Sequence, residues 1–241
     1  MKTREVISIG INAALYAGLG YLTHLGLFTP VIGVVRFWPS VIIPAVFSIL
    51  YGPLAGGIGA AVGIFISDMM IHGNPVLSLL VGVTSNFIGF YILGWIGRKK
   101  LTQLHLISGL ALGSILAIAS YWLYVIELLD FATSMLFVGV CFFSVVLTLI
   151  IYFLWPSWRS YGVGSIIGLG IGSAIIGIGV WAFSQFFILP SGDFQMPLYS
   201  SVIWFLWTFC TEIPFLVALV PPILKACFIA FPNLKPDLEK G

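Results

Sequence analysis

Charge is the scarcest commodity in this sequence. Only 7% of its 241 residues are Asp, Glu, Lys or Arg, whereas a soluble domain carries about 25%. A chain so poor in ionic groups cannot present a solvated surface, so a soluble globular protein is excluded. Basic residues exceed acidic ones by only two and form no extended cluster, which argues against a nucleic-acid partner. Cysteine is also rare: Cys141, Cys210 and Cys227 lie in apolar stretches without CxxC or Cys/His spacing, and read as small hydrophobic fillers. There is no GxxxxGK[ST] loop, so this chain has no phosphate cradle of its own for ATP. Nor does it carry a convincing nucleophile–base set or clustered His/Glu ligands. The expectation is a protein that is not an enzyme and binds no cofactor itself.

What is abundant is apolar length. Sixty per cent of the residues are hydrophobic and the mean hydropathy is +1.14, so the bilayer is the solvent for nearly the whole chain. Eight spans are expected, near 6–28, 37–51, 54–72, 76–97, 104–129, 131–155, 162–189 and 198–224, separated by Pro, Gly and charged punctuation. The fold class is therefore all-α, a polytopic membrane helix bundle. Lys2 and Arg4 ahead of an apolar run mimic a signal peptide, but the length of that run favours an uncleaved first helix. The second span is short, and Pro39 and Pro44 suggest a kink or a re-entrant segment. Residues 1–231 form one transmembrane domain, and the polar stretch 232–241 reads as a disordered cytoplasmic tail. With both termini cytoplasmic, eight spans leave only Arg36 of the ten basic residues outside. Glu127, Asp130 and Asp193 collect on the outer side. This positive-inside pattern supports the even span count and a plasma-membrane location.

The segment "GPLAGGIGAAVGIFISD", residues 52–68, is nearly devoid of bulky side chains before it reaches a carboxylate. On a helical projection Ala55, Gly59, Gly63 and Ser67 form one i+4 ridge of small residues. Leu54, Ile58, Val62 and Phe65 occupy a separate arc, roughly 260° to 340° from Ala55. Lipid offers no hydrophobic force between helices, so close backbone approach must hold them together. The ridge is a packing face, and Asp68 falls beside it rather than on the bulky arc facing lipid. Gly10, Ala14 and Gly18 form a similar ridge on the first span, next to an Ala13/Ala17 pair, and Gly164, Gly168 and Gly172 repeat the pattern on the seventh.

The run "VRFWPSVIIPAVFSILYGPLAGGIGAAVGIFISDMMIHGNP", with "MKTREVISIGINAALYAGLGYLT" ahead of it, resembles the substrate-binding S components of energy-coupling factor (ECF) transporters. The resemblance rests on Ala13 and Ala17 as an AxxxA pair, then Gly52, Pro53, Gly56, Gly57 and Asp68, and it covers residues 1–100. It implies a subunit that captures a vitamin-like small molecule or ion at the outer face. It also implies partners: a transmembrane coupling subunit touching Ala13 and Ala17, and two cytoplasmic ATPases that hydrolyse ATP. S components usually have six spans, so either a helix pair has been inserted, at about 104–155, or this is a relative with another role.

Candidate site residues follow from polarity in apolar surroundings. Arg36, at the outer mouth, has the fork geometry to clamp a carboxylate or phosphate, or to pair with Asp68 or Asp193. Trp38 and Trp204 are candidate aromatic walls, with Trp207 beside them, although outer-interface tryptophans also anchor helices in the membrane. Asp68 requires a cation or hydrogen-bond donors. His72 lies near it, and with His24 the three are the candidates to converge on a metal ion, although their spacing is not that of a ligand set and no metal site is expected. Asn86, mid-span, is a ligand or interhelical contact, and Asn74 reads as a turn residue. Asp193 and Gln195 lie in an outer loop able to act as a lid. Glu212, deep in the last span before Pro214, lines the pocket floor, caps the broken helix or contacts the coupling partner, with structure or coupling preferred over ligand binding. One arginine among acids and tryptophans suggests a zwitterionic or anionic aromatic solute. The alternatives are a stand-alone secondary transporter, with Asp68 or Glu212 as the proton-coupling acid, or a non-catalytic subunit of a larger complex.

Sidedness is directly testable. In a chain whose three cysteines are replaced by alanine, Asp193→Cys should react with an impermeant maleimide on intact cells. Lys99→Cys should react only after permeabilisation; the reverse pattern would overturn the orientation.

Overall fold

A computed structural model describes residues 3–27, 31–32 and 35–236. Helix α1 spans Thr3–His24, and a two-residue hairpin, β1 Val31–Ile32 with β2 Val35–Arg36, follows. A 3₁₀ turn at Pro39–Val41 leads into α2, Ile42–Tyr51, and α3 runs Pro53–Ile71. Helix α4 covers Pro75–Gly97, α5 Gln103–Val125 and α6 Phe131–Leu154. Helix α7, Arg159–Ser184, precedes α8, Tyr199–Ala218, which continues after a break at Leu219 as α9, Val220–Ala230. Seven of these helical segments are long and apolar enough to cross a membrane.

The expected second span is the exception. Pro39–Tyr51 is a short apolar helix, and at 1.5 Å per residue its length is only about 20 Å. Pro39 opens the 3₁₀ turn and Pro44 sits in the first turn of α2, where no intrahelical N–H is required. The tail also departs from expectation. Pro232–Leu234 forms a 3₁₀ turn and Leu234 is buried against the core. Its side chain gives that stretch an apolar anchor; residues 237–241 lie outside the described residues.

Close backbone contact explains how the bundle is assembled. Along α7, Gly164, Gly168 and Gly172 meet the backbone of α4 at Gly97, Gly89 and Ser85. A Cβ on Gly168 would lie 2.6 Å from the Gly89 carbonyl oxygen, too close for any side chain. Helix α3 is the hub of the other half. Its Gly59 and Gly63 face Asn12, Ala13 and Tyr16 of α1, Gly56 faces Ser48 of α2, and Gly57 faces Phe87 and Tyr91 of α4. Ala55 and Ser67 are buried as the ridge requires, and Leu54 and Val62 are exposed. Ile58 and Phe65 are half-buried instead, while Ile66 joins the exposed strip. Asn12 is fully buried and donates to the Ala55 and Gly56 carbonyls, at 3.0 and 3.2 Å. Such interhelical amide bonds contribute about 0.6–2 kcal/mol in a membrane.

Helices α5 and α6 form a hairpin on the flank of α7 and α8. Thr102 and Asp130 cap them, accepting from His105 N and Thr133 N; the bonds from Thr133 hold the Asp130 carboxyl below its ordinary range. Phe137 of α6 packs edge-on to Trp207 at 5.5 Å, and Cys141 Sγ lies 3.6 Å from Cys210 Sγ. Ile115, Ile118 and Phe142 face outward, as lipid-contacting side chains do.

Basic groups gather at one end of the bundle. Arg98, its guanidinium pKa lowered by burial, donates to the Ile49 carbonyl. Arg4 stacks over Tyr51, and Lys225 and Lys235 border the same hollow as Ile49 and Gly97.

The contrast between packed and open glycines predicts a stability difference. Gly168→Leu should destabilise the detergent-solubilised protein by about 1–3 kcal/mol or more, as overpacking does, with a lowered melting temperature. Gly10→Leu, with nothing within 4 Å of its Cβ position, should not. Equal melting of both variants would contradict this packing.

Candidate binding cavity

Opposite the basic end, a cavity of about 220 Å³ lies between helices, bordered by Tyr16, Trp38, Ile64, Asp68, His72, Leu77, Val81, Gly82, Asn86, Ile176, Val180, Thr208 and Glu212. A smaller void of about 20 Å³ adjoins it, sharing Asn86, Ile176, Thr208 and Glu212 and reaching Phe90, Leu169 and Ser173. Larger hollows, of about 450 and 360 Å³, sit at the basic end and are mainly apolar, with lysine at their edges. Of these hollows among the described residues, the first gathers two carboxylates, an imidazole, an amide and hydroxyls in one place.

Each polar group is held by its element. Asp68 Oδ2 accepts a 2.6 Å hydrogen bond from Ser78 Oγ, and Oδ1 lies 3.5 Å from His72 Nε2, one helical turn on. The Asn74 amide donates to His72 Nδ1 at 3.1 Å, which leaves Nε2 as the protonated nitrogen of the neutral ring. Asn74 also caps α4 by accepting from Leu77 N at 3.0 Å, the turn role expected of it. Tyr16 Oη donates to Asn86 Oδ1 at 2.8 Å, and Asn86 Nδ2 donates to the Gly82 carbonyl at 2.9 Å. Thr208 Oγ1 donates to the Trp204 carbonyl, one turn before Glu212 on the same face.

The backbone is irregular where it meets the cavity. Ser78–Val83 of α4 is π-helical, a geometry frequent at functional sites. Gly82 within it leaves room for the carboxylate: a Cβ there would lie 2.6 Å from Asp68 Oδ2 and push that oxygen off Ser78. Trp38 is fixed by its amide, which donates to the Thr211 carbonyl at 3.1 Å, so the segment entering α2 is tied to α8.

Of the residues singled out in the sequence, Trp38, Asp68, His72, Asn86 and Glu212 line the cavity. Glu212 is part of the wall, at the depth where the pocket floor was one reading of it. Arg36 is not: it is exposed and donates through Nη1 to the His24 carbonyl at 3.0 Å, closing off the end of α1. Neither Asp68 nor Asp193 is its partner. Asp193 is exposed and accepts from Ser191 Oγ at 2.8 Å, and Trp204 faces outward. The loop carrying Asp193 does approach the mouth through Met196, whose amide and carbonyl are bonded to Ser184, Trp181 and Gln185 of α7 and the turn beyond it. Ala13 and Ala17, expected to touch a partner subunit, are buried inside this chain, because α1 turns that pair towards α3. The ridge left open on α1 is Gly10, Ala14 and Gly18. His24 does not border the cavity, and among the described residues no group of three or more His, Cys, Asp or Glu is arranged to hold a metal ion. Tyr16, Ser78, Gly82 and Thr208 were missed. The available signal was polar pairing at i+4, Asn12 with Tyr16 and Thr208 with Glu212, which sets both members on one helix face.

The chain is similar to UPF0397 proteins. It is 32% identical to UPF0397 protein YdcD of Lactococcus lactis over 103 residues, 42% of this chain and 53% of that one. It is 32% identical to a UPF0397 protein of Aliivibrio salmonicida over 92 residues, 38% and 48% of the two chains. A UPF0397 protein of Enterococcus faecalis is 28% identical over 99 residues, 41% and 51% of the two. The chain thus spans about half the length of the curated relatives it matches. No family model matches, and no solved structure matches.

The Gly82–Asp68 contact predicts coupling. Gly82→Ala should cost about 1 kcal/mol, the worth of the displaced Ser78–Asp68 bond, and most of that should vanish in a chain that also carries Asp68→Ala. Additive losses in a double-mutant cycle would show that the two do not touch.

Proposed function

We propose that this chain is the substrate-binding membrane subunit of an ECF-type importer, capturing a small vitamin-like solute at its outer face. The observation that carries this reading is which helices build the cavity. Its lining comes from α1, the segment before α2, α3, α4, α7 and α8, and includes no residue of 103–154. A six-helix core with α5 and α6 added on the flank fits the resemblance of residues 1–100 to S components. The pocket combines aromatic walls with a few convergent polar groups, as small-molecule sites do. In this reading the open Gly10–Ala14–Gly18 ridge receives the coupling subunit, and two cytoplasmic ATPases supply the energy. A secondary transporter would need the same intramembrane acids for proton coupling, so reconstitution must separate the two.

The purified chain should capture a solute, yet liposomes containing it alone should accumulate none under a proton gradient. Accumulation should require co-reconstituted coupling subunit, ATPases and ATP. Gly18→Leu should leave capture intact and abolish association with the coupling subunit. Gradient-driven accumulation by the chain alone would replace this reading with the transporter.

A further inference from the structure

Arg36 lies outside the cavity, and this reverses the charge expected of the solute. Among the described residues no lysine or arginine lines the cavity, while two carboxylates, Asp68 and Glu212, do. The hydrogen-bond inventory points the same way. The hydroxyl protons of Tyr16, Ser78 and Thr208 are committed to Asn86, Asp68 and the Trp204 carbonyl. One N–H of Asn86 is committed to Gly82, and His72 Nε2 faces Asp68. The free capacity is mostly acceptor. Asp68 Oδ1 has only the long contact to His72, and Glu212 accepts no hydrogen bond from the described residues. At the floor, Ser173 is 1% exposed and its hydroxyl has no partner, although it borders the void beside Glu212. A buried hydroxyl left unbonded costs free energy that a ligand's polar group would recover.

Resting on the binding-subunit reading above, we propose that the cavity takes a small organic cation: a protonated amine or amidinium-type group on an aromatic ring. Its N–H donors pair with Asp68 near the mouth and Glu212 near the floor, and its ring lies against Trp38 and Tyr16. Aromatic faces attract cations as well as rings, so the same walls serve both parts of the molecule. The volume, about 220 Å³, is below the roughly 300–1,000 Å³ of drug-sized pockets and fits a compact ring system rather than a large conjugate.

The test uses the full chain in detergent, incubated with a bacterial small-molecule extract split on ion exchangers into cationic, anionic and uncharged fractions. Solute retained through gel filtration is identified by mass spectrometry. Capture from the cationic fraction is expected, weakened at least tenfold by Asp68→Asn and by Glu212→Gln and unchanged by Asp193→Asn. The wild-type result alone reads the charge class, should a variant fail to fold. An anionic or uncharged solute, or a cation whose capture both variants leave intact, would overturn the assignment while leaving the binding reading in place. Capture from no fraction would overturn the binding reading itself, and this inference with it.

Discussion

Where α4 crosses α7, polypeptide backbones touch with almost no side chain between them, and where α3 meets α1, α2 and α4 its glycines let neighbouring backbone and side chains such as Asn12 and Ser48 lie directly against the helix. That contact is the constraint on which the remaining architecture depends. In lipid, apolar side chains gain little by leaving one apolar environment for another, so van der Waals contact and short interhelical hydrogen bonds must supply the association energy. Glycine at Gly89 and Gly168 permits the approach in one half of the bundle, and the ridge from Ala55 to Ser67 permits it in the other.

Tight crossings also determine where space remains. Below the cavity the helices close on Phe90, Leu169 and the glycines around them. Towards the opposite end Tyr16, Trp38 and the π-helical turn of α4 hold the walls apart. The polar side chains sheltered there are costly in hydrocarbon, and the fold offsets that cost with local partners: Ser78 and His72 for Asp68, Tyr16 and Gly82 for Asn86. Among the described residues Glu212 and Ser173 have no such partner. The α5–α6 hairpin contributes nothing to its lining and broadens the lipid-facing perimeter instead.

The parts legible in the sequence were those governed by periodicity and composition. Membrane spans, the buried ridge on α3, the glycine face of α7 and the placement of Asp68 away from lipid all follow from spacing on one helix. What remained illegible depends on rotation between helices. Ala13 and Gly10 lie three residues apart on two neighbouring ridges, and only the docked position of α3 decides which is covered. Arg36 looked like a ligand clamp because it is the lone outer cation, but two strands turn it back towards the end of α1. The depth of Glu212 leaves pocket floor, helix cap and subunit contact open in the sequence; the cavity reaches it because α8 faces the irregular turn of α4 across it. Leu234 was hidden by the polarity of its neighbours.

An experimental structure of the full chain in lipid nanodiscs tests the central claim most directly. The account predicts that Gly89 and Gly168 meet backbone to backbone, and that Asp68 and Glu212 face one shared cavity at the end opposite Arg98 and Lys225. Asp68 turned into lipid, or side chains of 103–154 filling the space between α3 and α8, would contradict it.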